Sequence, residues 1–165
     1  LYRVVPAYKK NLTRPHRKKS AKKRDLKRDG QTLKSNLETY CYDRLKEAKL
    51  KFRYEPEEFV LQESFRYPTE YHKATRGKDV MSNATGRVVL PIKYTPDFVS
   101  HEHKFIIETK GYVPSQHTFP LRWKLFLKYL MENEMDDYML FIPKNKKQVD
   151  ETIKIIMSHD ETTDE

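Results

Sequence analysis

The sequence predicts an α/β fold: a central mixed β-sheet flanked by helices, preceded by a basic N-terminal arm. Three observations carry this. Hydrophobic periodicity runs helix, several strands with a hairpin, helix, strand, helix, the pattern of a layered α/β domain. The excess positive charge is confined to one end. The chain of 165 residues suits one domain and holds a single cysteine, Cys41, which excludes an internal disulfide framework and a thiolate zinc site.

The arm comes first. Residues 1–30 hold 12 of the 33 Lys and Arg but 2 of the 24 Asp and Glu, leaving a near-neutral remainder of 21 basic and 22 acidic residues. A block of like charge repels itself and cannot bury enough apolar surface to fold alone. Residues 1–30 are therefore expected to be flexible. Such a block condenses on a polyanion, because each phosphate it neutralises releases a counterion. Its expected nucleic-acid contacts are Lys9, Lys10, Arg14, Arg17, Lys18, Lys19, Lys22, Lys23, Arg24, Lys27 and Arg28. They supply affinity without sequence information. A solvated tail that only aids solubility is the competing reading.

The domain itself is expected over residues 31–158. Ser35 and Glu38 fit the S-x-x-E capping box, and Leu37, Cys41, Leu45 and Ala48 recur at helical spacing. Together they predict a helix from about Ser35 to near Lys49. KFRYE and EFVLQE read as strands. Residues 66–86, polar and punctuated by Pro68, Gly77 and Gly86, read as a loop or insertion long enough to be functional or mobile. Lys73, Arg76 and Lys78 make that segment a second candidate nucleic-acid contact, against a plain loop. RVVLPIKY reads as a strand whose Pro91 marks an edge or bulge. PDFVS and KFIIET form a hairpin around HEH. FPLRWKLFLKYLMENEM is the second helix, YMLFIP a buried strand, and NKKQVDETIKIIMS a closing helix. An acidic tail, residues 159–165, ends the sequence.

The chemistry gathers in YTPDFVSHEHKFIIETKGY, residues 94–112. Side chains alternate along a strand, so Ile106, Glu108 and Lys110 share one face and Phe105, Ile107 and Thr109 the other. Asp97, on the preceding strand, approaches Glu108 across the hairpin. Two neighbouring carboxylates repel and stay ionised only with a compensating cation. Oxygen ligands select hard Mg²⁺ or Mn²⁺ over zinc. Such an ion polarises a phosphoryl oxygen and lowers the pKa of bound water. Lys110 is placed to orient or deprotonate that water, or to stabilise negative charge. The plain alternative is a turn aspartate and a surface cross-strand pattern.

Other candidates are weaker. His101, Glu102 and His103 look metal-like but sit where a hairpin turn requires polar residues. Gln116 and His117 follow the motif in a loop. Arg122, Lys124 and Lys128 lie on the polar face of the second helix, as phosphate contacts or as a solvated face. Trp123 and Cys41 read as packing.

Tyr94-Thr95-Pro96-Asp97-Phe98 followed by Glu108-Thr109-Lys110-Gly111 resembles the PD-(D/E)xK nuclease motif. Within that superfamily the chain is most similar to the bacteriophage endonuclease I family of Holliday-junction resolvases, and to related phage nucleases with the same TPDF and KGY elements. The similarity begins at Ser35-Asn36-Leu37-Glu38 and LKEAKLKFRYE, reaches Tyr112, and continues through a helix and strand to Pro143. It implies a restriction-endonuclease-like core and an active site of Glu38, Asp97, Glu108 and Lys110. Asp97 and Glu108 would hold Mg²⁺ or Mn²⁺ with the Thr109 carbonyl. Glu38 would reach toward a second metal or its water, and Lys110 would assist the nucleophile. The implied reaction is hydrolysis of a DNA phosphodiester leaving a 5′-phosphate. That family builds a homodimer by exchanging elements, whereas here residues 66–86 and the arm are longer than its pattern. Glu38 carries two readings, capping box and catalysis, which compete for one carboxylate.

The expected function is a metal-dependent DNA endonuclease on branched or duplex DNA, with a Holliday-junction resolvase as its sharpest form. The alternatives are a non-catalytic DNA-binding or structural component that keeps the fold, and a nuclease subunit of a virion or transposase assembly. Expected partners are DNA, a second copy of the chain, and virion or replication-complex proteins. No apolar run approaches the ~20 residues that span a bilayer, and no apolar signal core opens the sequence. No membrane partner is expected, and the expected location is intracellular (host cytoplasm for a phage protein, or the virion).

Overall fold

The computed structural model describes residues 26–111 and 118–163. The arm contacts from Lys9 to Arg24, and Gln116 and His117, lie outside the described residues. The first described element is a tight hairpin of β1 (Lys27–Arg28) and β2 (Gln31–Thr32), turned through Asp29 and Gly30 at φ of 47° and 81°. Two consecutive positive-φ residues make the two-residue hairpin turn that Asp-Gly favours. Leu26 and buried Leu33 pin this hairpin to the core. The Arg28 guanidinium donates to Asp43 at 2.6 and 2.9 Å, and the Tyr42 hydroxyl to Asp29 at 2.8 Å. The flexible arm expected through residue 30 is therefore corrected at its end. An apolar pair and local carboxylates dock residues 26–30 on the fold.

Helix α1 (Asn36–Glu47) starts where the sequence places it, with the Ser35 hydroxyl accepting the Glu38 N–H at 3.1 Å. It buries Cys41, Tyr42 and Leu45. The chain then forms β3 (Arg53–Tyr54), β4 (Phe59–Gln62), β5 (Phe65–Arg66), β6 (His72–Ala74), β7 (Met81–Asn83), β8 (Val88–Val89), β9 (Ile92–Tyr94), β10 (Phe98–Ser100) and β11 (Phe105–Ile107). Helix α2 (Phe119–Glu132), strand β12 (Met139–Phe141) and helix α3 (Lys146–Thr163) follow.

The α/β class holds: three helices accompany the strands among the described residues. A single central sheet does not. One four-stranded mixed sheet has the order β12-β11-β10-β3, with β11–β12 parallel and its other pairs antiparallel. The remaining strands form separate two-stranded ladders, β1-β2, β4-β9, β5-β8 and β6-β7. Register slips between Val60 and Gln62, opposite the strand that follows Pro91. Proline donates nothing to a ladder, and such a break separates β8 from β9.

Helices cover both faces of the four-stranded sheet. On one, α1 and α3 bring Leu45, Val149, Ile153 and Ile156 onto Phe98, Phe105 and Ile107. On the other, Phe126 and Leu130 of α2, with Phe59 and Tyr94 of β4 and β9, pack on Val99 and Ile106. The alternation read along KFIIETK is thus the division between two cores.

Two further expectations are corrected. Residues 66–86 are not a structureless loop: β5-β8 and β6-β7 carry the β4-β9 ladder outward as a ribbon. Both its faces meet solvent, so no apolar alternation marks it. Nor does the closing helix stop before residue 159, because α3 runs to Thr163. His103 Nδ1 lies 2.7 Å from Asp160 Oδ2 and ties its last turns to the hairpin. Among the described residues no helix is long and apolar enough to cross a membrane.

Candidate active site

Asp97 and Glu108 stand one step beyond Phe98 and Ile107, the last paired residues of β10 and β11. The sheet holds both firmly. Pro96 is fully buried, and the Asp97 carbonyl accepts the Glu55 N–H at 2.8 Å. Beyond β11, the N–H groups of Glu108 and Lys110 donate at 2.9 Å to the carbonyls of Phe141 and Pro143, continuing the parallel ladder beside β12. The side chains are consequently delivered by rigid backbone at a strand end.

Both carboxylates are out of water: Asp97 is 8% and Glu108 4% exposed. The Thr109 N–H and hydroxyl both donate to Asp97 Oδ2, at 2.7 and 2.6 Å. Burial, and then the charge of Glu108, push the Asp97 carboxyl up to about 7 against those bonds. Lys110 Nζ lies 2.5 Å from Glu108 Oε1 and 4.2 Å from the centre of the Phe119 ring. Among the described residues Glu108 Oε2 is buried and accepts no close hydrogen bond, though the Tyr94 hydroxyl lies near enough to feel Glu108. A buried carboxylate oxygen without a donor is costly. Lys110 pairs with Glu108, while Asp97 feels the charge of Lys34, itself paired with Glu55.

Glu38 stands apart. Its Oε2 accepts the Lys34 N–H and the Tyr54 hydroxyl, each at 2.7 Å. The capping box is present but shifted, since the carboxylate takes the amide of Lys34 rather than that of Ser35. Its charge still reaches Asp97 and helps to raise the aspartic acid. Among the described residues no group of three or more His, Cys, Asp or Glu converges as a metal site. A two-carboxylate site nonetheless suits magnesium, which keeps several waters and binds through one or two carboxylates plus substrate phosphates. Asp97 Oδ1, left clear by both Thr109 bonds, and Glu108 Oε2 fit such an ion.

Glu108 and Lys110 line a cleft of about 350 Å³ whose rim carries Lys34, Lys93 and Arg122 together with Glu55 and Glu58. Lys34 pairs with Glu55, and Lys93 Nζ lies 2.7 Å from Glu58. Arg122 donates to the Thr118 hydroxyl at 3.2 Å. A second hollow of about 450 Å³ adjoins across Lys110 and Phe119, and Lys124 lines it. Lys128 faces Glu132 at 3.4 Å on the helix surface, away from these hollows. Trp123 packs on Tyr94 and Phe126, and Cys41 is fully buried.

The structure thus brings together Asp97, Glu108, Thr109, Lys110 and Arg122. It sets Glu38 beside them and the HEH turn at the other end of the hairpin. Sequence reasoning missed two tyrosines. Tyr54 holds Glu38. The buried Tyr94 hydroxyl makes no close hydrogen bond among the described residues, and burial, the charge of Glu108 and its approach as an acceptor raise its pKa. Tyr94 stood within the quoted motif, but only the fold turns its hydroxyl toward the acids. Comparison with protein-family models, with curated proteins and with solved structures finds no significant match.

Proposed function

We propose that the chain is a divalent-metal-dependent DNA endonuclease with a PD-(D/E)xK site on a restriction-endonuclease-like core. One observation carries the reading. The Asp97–Glu108 pair is buried at a strand end, and Glu108 with its partner Lys110 lines a cleft that also carries Lys34, Lys93 and Arg122. Asp97, Glu108 and the Thr109 carbonyl would hold Mg²⁺ or Mn²⁺, with Glu38 acting on Asp97 through its charge. Bound there, the ion supplies Lewis acidity and a water of lowered pKa.

The chain's own groups do the rest. Arg122 and Lys93 bind phosphate oxygens at the rim. Lys110, exchanging Glu108 for substrate, stabilises negative charge at the phosphate or steers the attacking water. The Phe119 ring shields the ammonium from solvent. Branched DNA, including a four-way junction, is the sharpest form of the substrate class. A second reading, a non-catalytic DNA-binding component, is favoured by one feature: Glu38 is engaged by Lys34 and Tyr54, and among the described residues no third ligand converges.

The test is incubation of the full chain with Mg²⁺ or Mn²⁺ and four DNAs: four-way junction, nicked duplex, linear duplex and single strand. Metal-dependent cleavage with 5′-phosphate ends is expected. Binding without cleavage of any of them would leave the non-catalytic reading.

A further inference from the structure

The ribbon of residues 65–89 does no work for the core. Between Phe65 and Leu90 only Ala84 is buried. It nevertheless keeps register, with Phe65 opposite Val89 and Ala74 opposite Met81. Its tip closes through Gly77 at φ 71°, with the Thr75 N–H donating to the Val80 carbonyl at 3.2 Å. The ribbon is ordered by its own ladder and leaves both faces open to a partner.

Charge selects that partner. Residues 64–90 hold five basic side chains and two acidic ones. Of the acids, Glu70 lies 2.9 Å from His72, and Asp79 follows Lys78 at the tip. Lys73, Arg76 and Lys78 crowd the outer end. A second copy of the ribbon would set like charge against like. Its edges also resist strand addition: the ladder lapses between Arg66 and His72 around Pro68, and Lys73 guards the outer strand. A polyanion fits. Two strands lie about 4.8 Å apart, and the major groove of B-DNA, about 12 Å wide, admits a two-stranded ribbon. From Phe65 to the tip the ribbon extends on the order of 30 Å, at ~3.3 Å per residue.

We propose that this ribbon is a duplex-DNA-binding arm that lays its basic tip in the major groove. Lys73, Arg76 and Lys78 contact phosphates, and the exposed Val80 and Met81 side chains meet base edges such as thymine methyls. The inference rests on the DNA part of the proposed function, not on cleavage.

The experiment measures binding of the full chain to linear duplex DNA over a salt series, with dimethyl sulfate footprinting of guanine N7 in the major groove. The variant is Lys73→Ala/Arg76→Ala/Lys78→Ala, all exposed positions whose folding is checked by circular dichroism. The expected result is an affinity loss of about tenfold or more, a salt slope shallower by about 2 to 3, and loss of the N7 protection seen with wild type. Wild type that binds and cuts while the variant binds with the same affinity and slope overturns the ribbon's role alone. Binding without cutting, with the slope still reduced, supports the ribbon and sinks the nuclease reading. A wild-type dimer split by Val80→Glu/Met81→Glu with DNA binding intact assigns the ribbon to a second copy and overturns the proposal.

Discussion

The two ends of the β10–β11 hairpin carry similar cargoes of titratable side chains and treat them in opposite ways. At the turn, His101 is bound by Glu57 and Tyr138 at 2.5 and 2.7 Å. Glu102 lies 2.9 Å from Lys51, and His103 2.7 Å from Asp160. Only His103 Nε2 is left without a partner there. At the open end two carboxylates lie together in a dry setting, Lys110 pairs with Glu108 alone, and among the described residues Glu108 Oε2 accepts no close hydrogen bond. The turn looks more like a metal site in sequence, yet its charges are already answered. A candidate site is marked by unanswered charge, not by the density of ligand-type residues.

The comparison breaks most visibly at the acids. Asp97→Asn or Glu108→Gln is expected to lower cleavage about a thousandfold while thermal stability at pH 7, without metal, holds or rises. Full activity in either variant would remove the site from the open end.

Next in size is a pH effect without metal. The Asp97 carboxyl, at about 7 in the fold and near 3.8 when unfolded, binds a proton in the native state between those values. Stability from this group is therefore fully present below about pH 4 and is lost as pH rises through 7. The loss is on the order of 4 kcal/mol, at about 1.4 kcal/mol per pKa unit. Urea titrations in EDTA at several pH values read it. Asp97→Asn should flatten the dependence, and an equal slope in wild type and variant contradicts the assignment.

Glu38→Gln sharpens the picture further. Gln retains an acceptor for the Lys34 amide or the Tyr54 hydroxyl, so stability should change by less than about 1 kcal/mol. Cleavage should fall roughly tenfold, the scale of a supporting group. The smallest effects belong to the turn. His101→Ala and His103→Ala are expected to leave cleavage unchanged and cost up to about 1 kcal/mol, as partly exposed ion pairs do. Lost cleavage in either would mean that the wrong end was chosen.

Much of this contrast was legible in the residues. The Ser35 cap, the apolar stripe of α1 and the alternation that separates Glu108 and Lys110 from Thr109 are local patterns, and local patterns survive folding. The ribbon was not legible, because a two-sided exposed hairpin has no buried face to impose alternation and its prolines and glycines read as loop. Nor was the commitment of Glu38, whose partner Tyr54 is 16 residues away in sequence. The docking of Arg28 on Asp43 likewise depends on a helix that the charge count cannot see.

Binding of Mn²⁺ to the full chain, followed by electron paramagnetic resonance, tests the central claim most directly. One bound ion per chain in wild type is expected, displaced by Mg²⁺, weakened at least tenfold in both Asp97→Asn and Glu108→Gln, and unaltered in His101→Ala. No binding, or binding that survives both acid substitutions, would contradict the claim that the unanswered charge at the open end is a metal site.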